Sequence, residues 1–316
     1  MASCNLFDAR TLLTVALVMA SLPEFSLGAR RLPDRLAETT ALGDGISYHG
    51  GAVLRGEIPV SIVWYGQFKP SQKAIVVDFL LSLTSVPANA TPSAAQWWRT
   101  IDRAYLSNAT TNATRVVLAG QVADEQYSLG KSLTLVEVFQ LAAALVPGAG
   151  ALVLVLTDPG VSVEGFCSAR CGLHGSDDAG AGYAYVWVGN AESQCPGQCA
   201  WPFAEPAYGP RGQPPLTPPN GDVGVDGMVL TLASTVAGAV TNPLGDGYYE
   251  GARDAALEAC TACAGKFGSG AYPGYPGKVL LDETTGGSYN AVGANGRKYL
   301  LPAVFDPATS ACSTLV

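Results

Sequence analysis

The chain has 316 residues, of which 48% are hydrophobic and 14% charged, so it can bury a large core and is not of the disordered class. Its formal net charge of −8 disfavours nucleic acid as a partner, because phosphates are bound by basic surfaces that displace their counterions. An anionic membrane surface is disfavoured for the same reason.

The N-terminal segment contains the apolar stretch "TLLTVALVMASLPEFSLGA". This stretch is short for a bilayer span but has the length of the apolar region of a signal peptide. Small residues at Ser26, Gly28 and Ala29 offer cleavage positions. We therefore predict a signal peptide at 1–29, a single mature domain at 30–316, secretion, and no membrane insertion.

A strand and two helices follow. "IPVSIVWYG" is rich in β-branched and aromatic residues and predicts a strand. "KPSQKAIVVDFLLSLT" has apolar residues at helical spacing and predicts an amphipathic helix with Ser71 as N-cap. The next helix, "PSAAQWWRTIDRAYL", is predicted to have Thr91 as cap and Pro92 at its first position. Its two tryptophans, Trp97 and Trp98, are expected to pack in the core and not to form a platform for sugars.

Three Asn-Ala-Thr sequons, at Asn89, Asn108 and Asn112, are candidate glycosylation sites and agree with an exported chain. Two of them lie four residues apart in "LSNATTNATR", which predicts an exposed loop.

Alternating strands and a helix come next. "TRVVLAGQVAD", "ALVLVLT" and "YAYVWVG" predict strands, and "TLVEVFQLAAAL" predicts a helix ended by Pro147. This order predicts an α/β or α+β fold, in which a mixed sheet is flanked by helices and carries long loops fastened by disulfides.

Seven cysteines remain after Cys4, which lies in the predicted signal peptide: Cys167, Cys171, Cys195, Cys199, Cys260, Cys263 and Cys312. In an oxidising compartment most of them should form disulfides, and the odd number leaves at least one that is free or pairs between chains. Spacing does not decide between local bridges, Cys167 to Cys171 and Cys195 to Cys199, and cross-links between the two C-x-x-x-C segments. A bridge from Cys263 to Cys312 would tie down the C-terminal tail.

The segment "GFCSARCGLHGSDD" invites a metal or nucleophile interpretation. Cys167, Cys171 and His174, together with the second C-x-x-x-C segment, supply enough ligands for zinc. Zinc requires thiolates, however, and an exported protein normally has its cysteines oxidised. Cys167 as a nucleophile with His174 as base lacks a group that would orient the base. We therefore interpret the segment as a fastened loop.

Other residue patterns carry no recognisable chemistry. The paired acids are Asp177 with Asp178 and Asp282 with Glu283. A partial calcium loop is formed by Asn220, Asp222 and Asp226. Adjacent acids do not show the converging carboxylates that glycosidases need, and the calcium pattern lacks its sixth-position glycine and twelfth-position acid, so a solvated turn is expected. His49 is expected in a turn or the core. We predict no catalytic, cofactor-binding or metal-binding residues.

The segment "DGMVLTLASTVAGAVTNP" predicts a buried central helix. It faintly resembles a helix of secreted metallopeptidase-like proteins, which reads H-E-x-x-E-A-V-T-D-P. In that alignment Ser234, Thr235 and Gly238 occupy the positions of the metal-site residues, and none of them can hold zinc. The resemblance implies a protease-like scaffold without its metal.

A closer resemblance covers nearly the whole mature chain. The segments "YHGGAVLRGEIPVSIVWYGQFKPSQKAIVVDFLLSL", "YVWVGNAESQCPGQCAWPF", "TNPLGDGYYEG" and "FGSGAYPGYPGKVL" are similar to those of the plant EXORDIUM and EXORDIUM-like proteins, the phosphate-induced family. The resemblance implies an apoplastic or cell-wall protein involved in brassinosteroid-promoted growth and cell expansion. The family segment resembles "EAxxACPG" where this chain has "EACTACAG", which makes Cys260 the candidate for the unpaired thiol.

Two functions remain open. The first is a non-catalytic extracellular protein that binds a wall polymer, a small ligand or a receptor. The alternative is an extracellular hydrolase of wall glycans or peptides.

Overall fold

The computed structural model describes residues 45–85, 91–107, 113–177, 182–209 and 213–316. The predicted signal peptide and the sequons at Asn89, Asn108 and Asn112 lie outside these residues, as does Asp178.

The helices are α1 Pro70–Ser85, α2 Ala94–Ile101, α3 Leu135–Ala143, α4 Pro196–Cys199 and α5 Val223–Thr241. A π-helical turn, Asp102–Leu106, extends α2, and 3-10 turns lie at Arg253–Ala255, Thr261–Cys263 and Ala294–Gly296. The strands are β1 Ser47–Tyr48, β2 Glu57–Tyr65, β3 Arg115–Asp124, β4 Ser132–Leu133, β5 Leu152–Thr157, β6 Ser162–Val163, β7 Gly172–Ser176, β8 Ala184–Gly189, β9 Tyr248–Tyr249, β10 Leu280–Leu281, β11 Ser288–Tyr289, β12 Ala291–Val292, β13 Lys298–Tyr299, β14 Val304–Asp306 and β15 Ala311–Ser313.

A five-stranded mixed sheet organises the fold, in the order β3-β2-β5-β8-β7. The first four strands are parallel, and β7 runs antiparallel to β8 at the edge. Parallel neighbours need long crossover connections, and helices α1 and α2 supply one between β2 and β3. The predicted mixed sheet flanked by helices is confirmed.

The central strands of the sheet are buried on both faces, whereas the edge strand β3 is largely exposed. Along β2, Ile62 and Trp64 enter the core formed with α1, α2 and α5, whereas Val63 and Tyr65 point to the opposite core with α3. Alternation of side chains along a strand makes this two-faced burial possible. All six residues of β5 are buried, as its wholly apolar sequence predicts for a central parallel strand.

Helix α5 is the central helix of one core. It is long and apolar enough to cross a membrane, but 78% of its most apolar window is buried within the fold, as in a core helix. Asp222 caps it, since the backbone N–H of Val225 donates to the Asp222 carboxylate at 2.9 Å.

Two predicted caps are wrong. Helix α1 already includes Ser71, and the Gln72 side chain accepts the N–H of Lys69 at 3.0 Å in its place. Helix α2 is capped by Ser93 and not by Thr91, because Ser93 has an extended backbone and its hydroxyl accepts the N–H of Gln96.

The two tryptophans of α2 lie in the core, as predicted. Trp97 and Trp98 are each 2% exposed. Their indole N–H groups donate to the carbonyls of Pro302 and Thr114, both at 2.8 Å. Their rings therefore present no surface to a ligand.

The segment "GFCSARCGLHGSDD" is not wholly a loop. Its residues 172–176 form β7, with His174 opposite Val186 of β8. The ladder to β8 creates this strand, because "GLHGS" contains no β-branched residue and has little strand propensity of its own.

Candidate ligand-binding groove

Two parallel disulfides cross-link the C-x-x-x-C segments, Cys167 to Cys195 and Cys171 to Cys199. Each spans 28 residues, with Cα–Cα distances of 5.7 and 5.3 Å. The cross-linked arrangement is thus the one adopted, and the local bridges are not formed. These four sulfurs are not available as zinc ligands or as nucleophiles.

The third disulfide, Cys263 to Cys312, ties the tail to the 3-10 turn at 261–263. Cys260 is the free cysteine of the described residues and is 2% exposed. Burial raises the pKa of its thiol, so Cys260 has little thiolate at neutral pH and is a poor nucleophile.

An open groove of about 510 Å³ lies beside these disulfides. Its walls come from three separate segments, within 197–209, 264–266 and 272–274. The first wall begins in α4, which both parallel disulfides hold, and the second begins directly after Cys263. The disulfides therefore position two of the three walls.

The first wall carries Tyr208, which is 84% exposed. The preceding chain packs on α4, where the N–H of Ala207 donates to the carbonyl of Gly197 at 2.9 Å. A Cβ at Gly197 would lie 2.2 Å from the carbonyl oxygen of Glu205, so only glycine permits this approach.

Trp201 stands at the back of the groove and is partly exposed. Its ring centroid lies 6.0 Å from that of Phe267, within a small apolar cluster that includes Phe203 and Leu230. Gly265 has a φ of +72°, and an added Cβ would contact the Trp201 ring at 3.4 Å. The indole is therefore held between Phe267 and the backbone of the second wall.

The third wall is a tight hairpin. The backbones of Tyr272 and Tyr275 exchange two hydrogen bonds, of 3.0 and 2.8 Å, and Gly274 between them has a φ of +88°. The two tyrosine rings lie 5.1 Å apart, and Tyr272 is 60% exposed. The hairpin presents an aromatic ring on a short, hydrogen-bonded turn.

The groove is aromatic and almost uncharged. Among the described residues that line it, Lys266 is the charged one, with its ammonium 3.7 Å from the sulfur of Cys312, and none is an acid. Flat apolar rings and few polar groups suit a neutral ligand with apolar faces. The lining offers no pair of carboxylates of the kind that glycoside hydrolysis uses.

His174 is not among the residues that line the groove and belongs to a hydrogen-bonded cluster with Glu258 and Asn242. Its Nε2 is 2.8 and 3.0 Å from the carboxylate oxygens of Glu258, which also accepts the Asn242 amide at 2.7 Å. Nδ1 of His174 is buried without a hydrogen-bond partner. A Cβ at Gly238 would lie 2.3 Å from Glu258, so glycine lets α5 approach this cluster. The cluster fastens β7 to the end of α5.

The partial calcium loop is a buried hydrogen-bond network and not a solvated turn. Asp226 is 2% exposed and accepts the backbone N–H and side-chain amide of Asn220 at 2.9 and 2.6 Å. Burial raises the pKa of Asp226 to about 6. Asp222 is engaged as the cap of α5 and as the acceptor of the Gln72 amide at 2.9 Å.

The other residues considered for catalysis or metal binding also lie apart from one another in the fold. Asp282 pairs with Lys298 at 2.6 Å, and this hydrogen bond lowers the pKa of Asp282 to about 2. His49 stacks on Tyr249 with ring centroids 3.8 Å apart. The hydroxyls of Ser234 and Thr235 donate to carbonyls of their own helix. Within the described ranges, no three histidine, cysteine, aspartate or glutamate side chains are grouped to hold a metal.

No sequence motif marked the three aromatic residues of the groove as site residues. Trp201, Tyr208 and Tyr272 lie in the glycine- and proline-rich loops, in "WPF", "PAYGP" and "AYPGYPG". The repeated occurrence of aromatic residues among turn-forming glycine and proline residues could have indicated a surface site, since turns of this kind lie at the surface.

The fold and the groove define a disulfide-braced α/β protein with an aromatic surface site. Residues 46–315 match the model of the phosphate-induced protein 1 conserved region. The chain belongs to this phosphate-induced and EXORDIUM family.

Similarity to known members extends over most of the sequence. The chain is 54% identical to Protein PHOSPHATE-INDUCED 1 of Nicotiana tabacum, covering 86% of this chain and 88% of the relative. It is 51% identical to Protein EXORDIUM of Arabidopsis thaliana, covering 94% and 96%, and 53% identical to Protein EXORDIUM-like 1 of the same plant, covering 85% and 89%. No solved structure matches, and the expected metallopeptidase likeness gains no support.

Proposed function

We propose that this protein is an extracellular, non-catalytic binding protein of the plant cell wall whose groove holds a neutral glycan. The observation that carries the proposal is a set of three rings that line the groove: the partly exposed Trp201 and the exposed Tyr208 on the first wall, and the exposed Tyr272 on the third. Sugar rings have apolar faces that pack on aromatic rings, and removing this area from water stabilises the complex.

Charge favours a neutral polymer over an acidic one. The protein has a formal net charge of −8, and among the described residues that line the groove Lys266 is the one cation. A polyanion would be repelled at long range and would find few partners on arrival. Among wall polymers, the expected ligand is therefore a neutral polysaccharide.

Export is supported by the apolar N-terminal segment and the cysteine usage. The described residues contain three disulfides, and such bonds persist in oxidising compartments. Family membership supports a role in growth and cell expansion, including growth promoted by brassinosteroids. We propose that the protein contributes to this role by occupying wall glycan.

The hydrolase alternative has less support. Hydrolysis of a glycan in the groove would need an acid and a second carboxylate beside the sugar, and the lining residues include neither. The arrangement favours retention of the polymer over its cleavage.

Affinity electrophoresis through gels containing a neutral or an acidic wall polysaccharide tests the proposal. Wild-type protein should be retarded by the neutral polymer and not by the acidic one. Tyr208→Ala, at a highly exposed position, should weaken retention about tenfold, which corresponds to about 1.4 kcal/mol.

The matched control is Tyr48→Ala, which removes another exposed tyrosine, 50% exposed and not among the groove residues. This variant should migrate as wild type does. Equal migration of wild-type protein in all gels, or equal losses in both variants, would refute the proposed site.

A further inference from the structure

A second cavity of about 250 Å³ adjoins the groove. The two spaces share four lining residues, Gln198, Trp201, Ala264 and Gly265. The second cavity, here called the inner chamber, is further lined by Leu230 and Ser234 of α5, by Phe267 and by Pro302. Trp201 thus forms part of the wall of both spaces.

The inner chamber, like the groove, is lined mainly by apolar groups. None of the described residues that line it is charged, and one side is formed by residues of the Cys171–Cys199 disulfide and by the buried Cys260. The hydroxyl of Ser234 is engaged with the carbonyl of Leu230 at 3.2 Å. The polar side chains of the inner chamber are those of Gln198, Thr231, Ser234 and Thr261, and a sugar hydroxyl that meets none of them would lose a hydrogen bond at a cost of about 1–3 kcal/mol.

We propose that the groove and the inner chamber form one site for a neutral glycan that bears an apolar acyl or aryl ester. The sugar rings lie on Tyr208, Tyr272 and the outer part of Trp201, and the ester substituent enters the inner chamber. This inference rests on the proposed glycan function of the groove and adds the class of glycan that binds best.

Size and charge favour this ligand. An apolar cavity of about 150 Å³ is enough to hold a benzene ring, so the inner chamber, which has about 250 Å³ and opens to solvent, has room for a one-ring aryl group or a short acyl chain. A charged substituent would enter without a counter-charge and is disfavoured. The shared wall at Trp201 places the two parts of such a ligand side by side.

The test compares two ligands that differ only in the substituent: a neutral β-linked glucan oligosaccharide and the same oligosaccharide carrying one benzoyl ester. Titration calorimetry with wild-type protein should show binding of both. The ester should bind about 10- to 100-fold more tightly, as expected when an added apolar group is accommodated in an apolar pocket.

Ser234→Phe fills the inner chamber from α5 and should reduce the ratio of the two affinities to near one. Competition with methyl benzoate gives a second measurement that needs no variant. It should weaken binding of the ester to wild-type protein and leave binding of the plain oligosaccharide unaffected.

The outcomes separate the two proposals. Equal affinity of wild-type protein for both ligands overturns the inner-chamber inference and leaves the glycan groove standing. Binding of neither ligand overturns the glycan function and the inference with it. A preference for the ester that persists in Ser234→Phe and resists methyl benzoate places the substituent outside the inner chamber and also overturns the inference.

Discussion

Removing one of the two parallel disulfides should destabilise the fold less than removing the third disulfide, whereas removing both parallel disulfides should destabilise it more. Removing Cys167–Cys195 by a double alanine substitution leaves Cys171–Cys199 in place, so the chain remains closed into nearly the same 28-residue loop. Only the short ring between the two bridges opens, and its closure entropy corresponds to about 2.5 kcal/mol. Removing both bridges opens the whole loop and should cost about 6 kcal/mol.

The Cys263–Cys312 bridge provides the comparison. It closes a separate 49-residue span, and its removal should cost about 4 kcal/mol. Guanidinium unfolding without reductant measures these free energies, and the predicted order is one parallel bridge, then the tail bridge, then both parallel bridges. A loss from Cys167–Cys195 alone that equals the loss from the tail bridge would refute the reasoning from shared loop closure.

Three further predictions concern single residues. Gly238→Ala should lower the free energy of unfolding by about 1–3 kcal/mol because the new methyl group overlaps Glu258, and a rise in Tm, the usual effect of alanine in a helix, would contradict this packing. Between about pH 4 and 6, native Asp226 keeps a proton that the unfolded state has released, so its contribution to stability falls by up to about 3 kcal/mol as pH rises. Chemical unfolding at several pH values should show this fall in wild-type protein but not in Asp226→Asn, and identical slopes would be inconsistent with a raised pKa. Iodoacetamide should label Cys260 only after unfolding, since the thiol is buried; mass spectrometry that finds the label on native protein would count against that burial.

Local patterns predicted the central elements well. The burial of β5 and α5 could be predicted from their own sequences, because β5 is a wholly apolar run and α5 consists mostly of small and apolar residues. The caps at Ser71 and Thr91 were wrong because neighbouring polar residues, Gln72 and Ser93, lie in better positions to accept the backbone N–H groups. Where several polar residues lie near the start of a helix, the backbone geometry decides which side chain accepts the free backbone N–H groups.

Features made by distant contacts were not predictable in this way. Strand β7 depends on its ladder with β8, and the pairing of the two C-x-x-x-C segments depends on the second segment, which forms α4, lying beside the first. The groove combines three loops separated by up to about 70 residues, so no local pattern contains it. The number of cysteines in a chain expected to be exported predicted disulfides, but the role of these disulfides in positioning the groove emerges only from the fold.

Tryptophan fluorescence provides the most direct measurement of ligand contact in the groove. The chain has five tryptophans, and Trp64, Trp97, Trp98 and Trp187 are each 2% exposed or less, so quenching by acrylamide should report mainly on Trp201. A saturating neutral oligosaccharide should protect Trp201 from acrylamide in wild-type protein, and Trp201→Phe should lose the quenchable signal. Unchanged quenching of wild-type protein in the presence of a bound oligosaccharide would place the ligand elsewhere and contradict the aromatic groove as the glycan site.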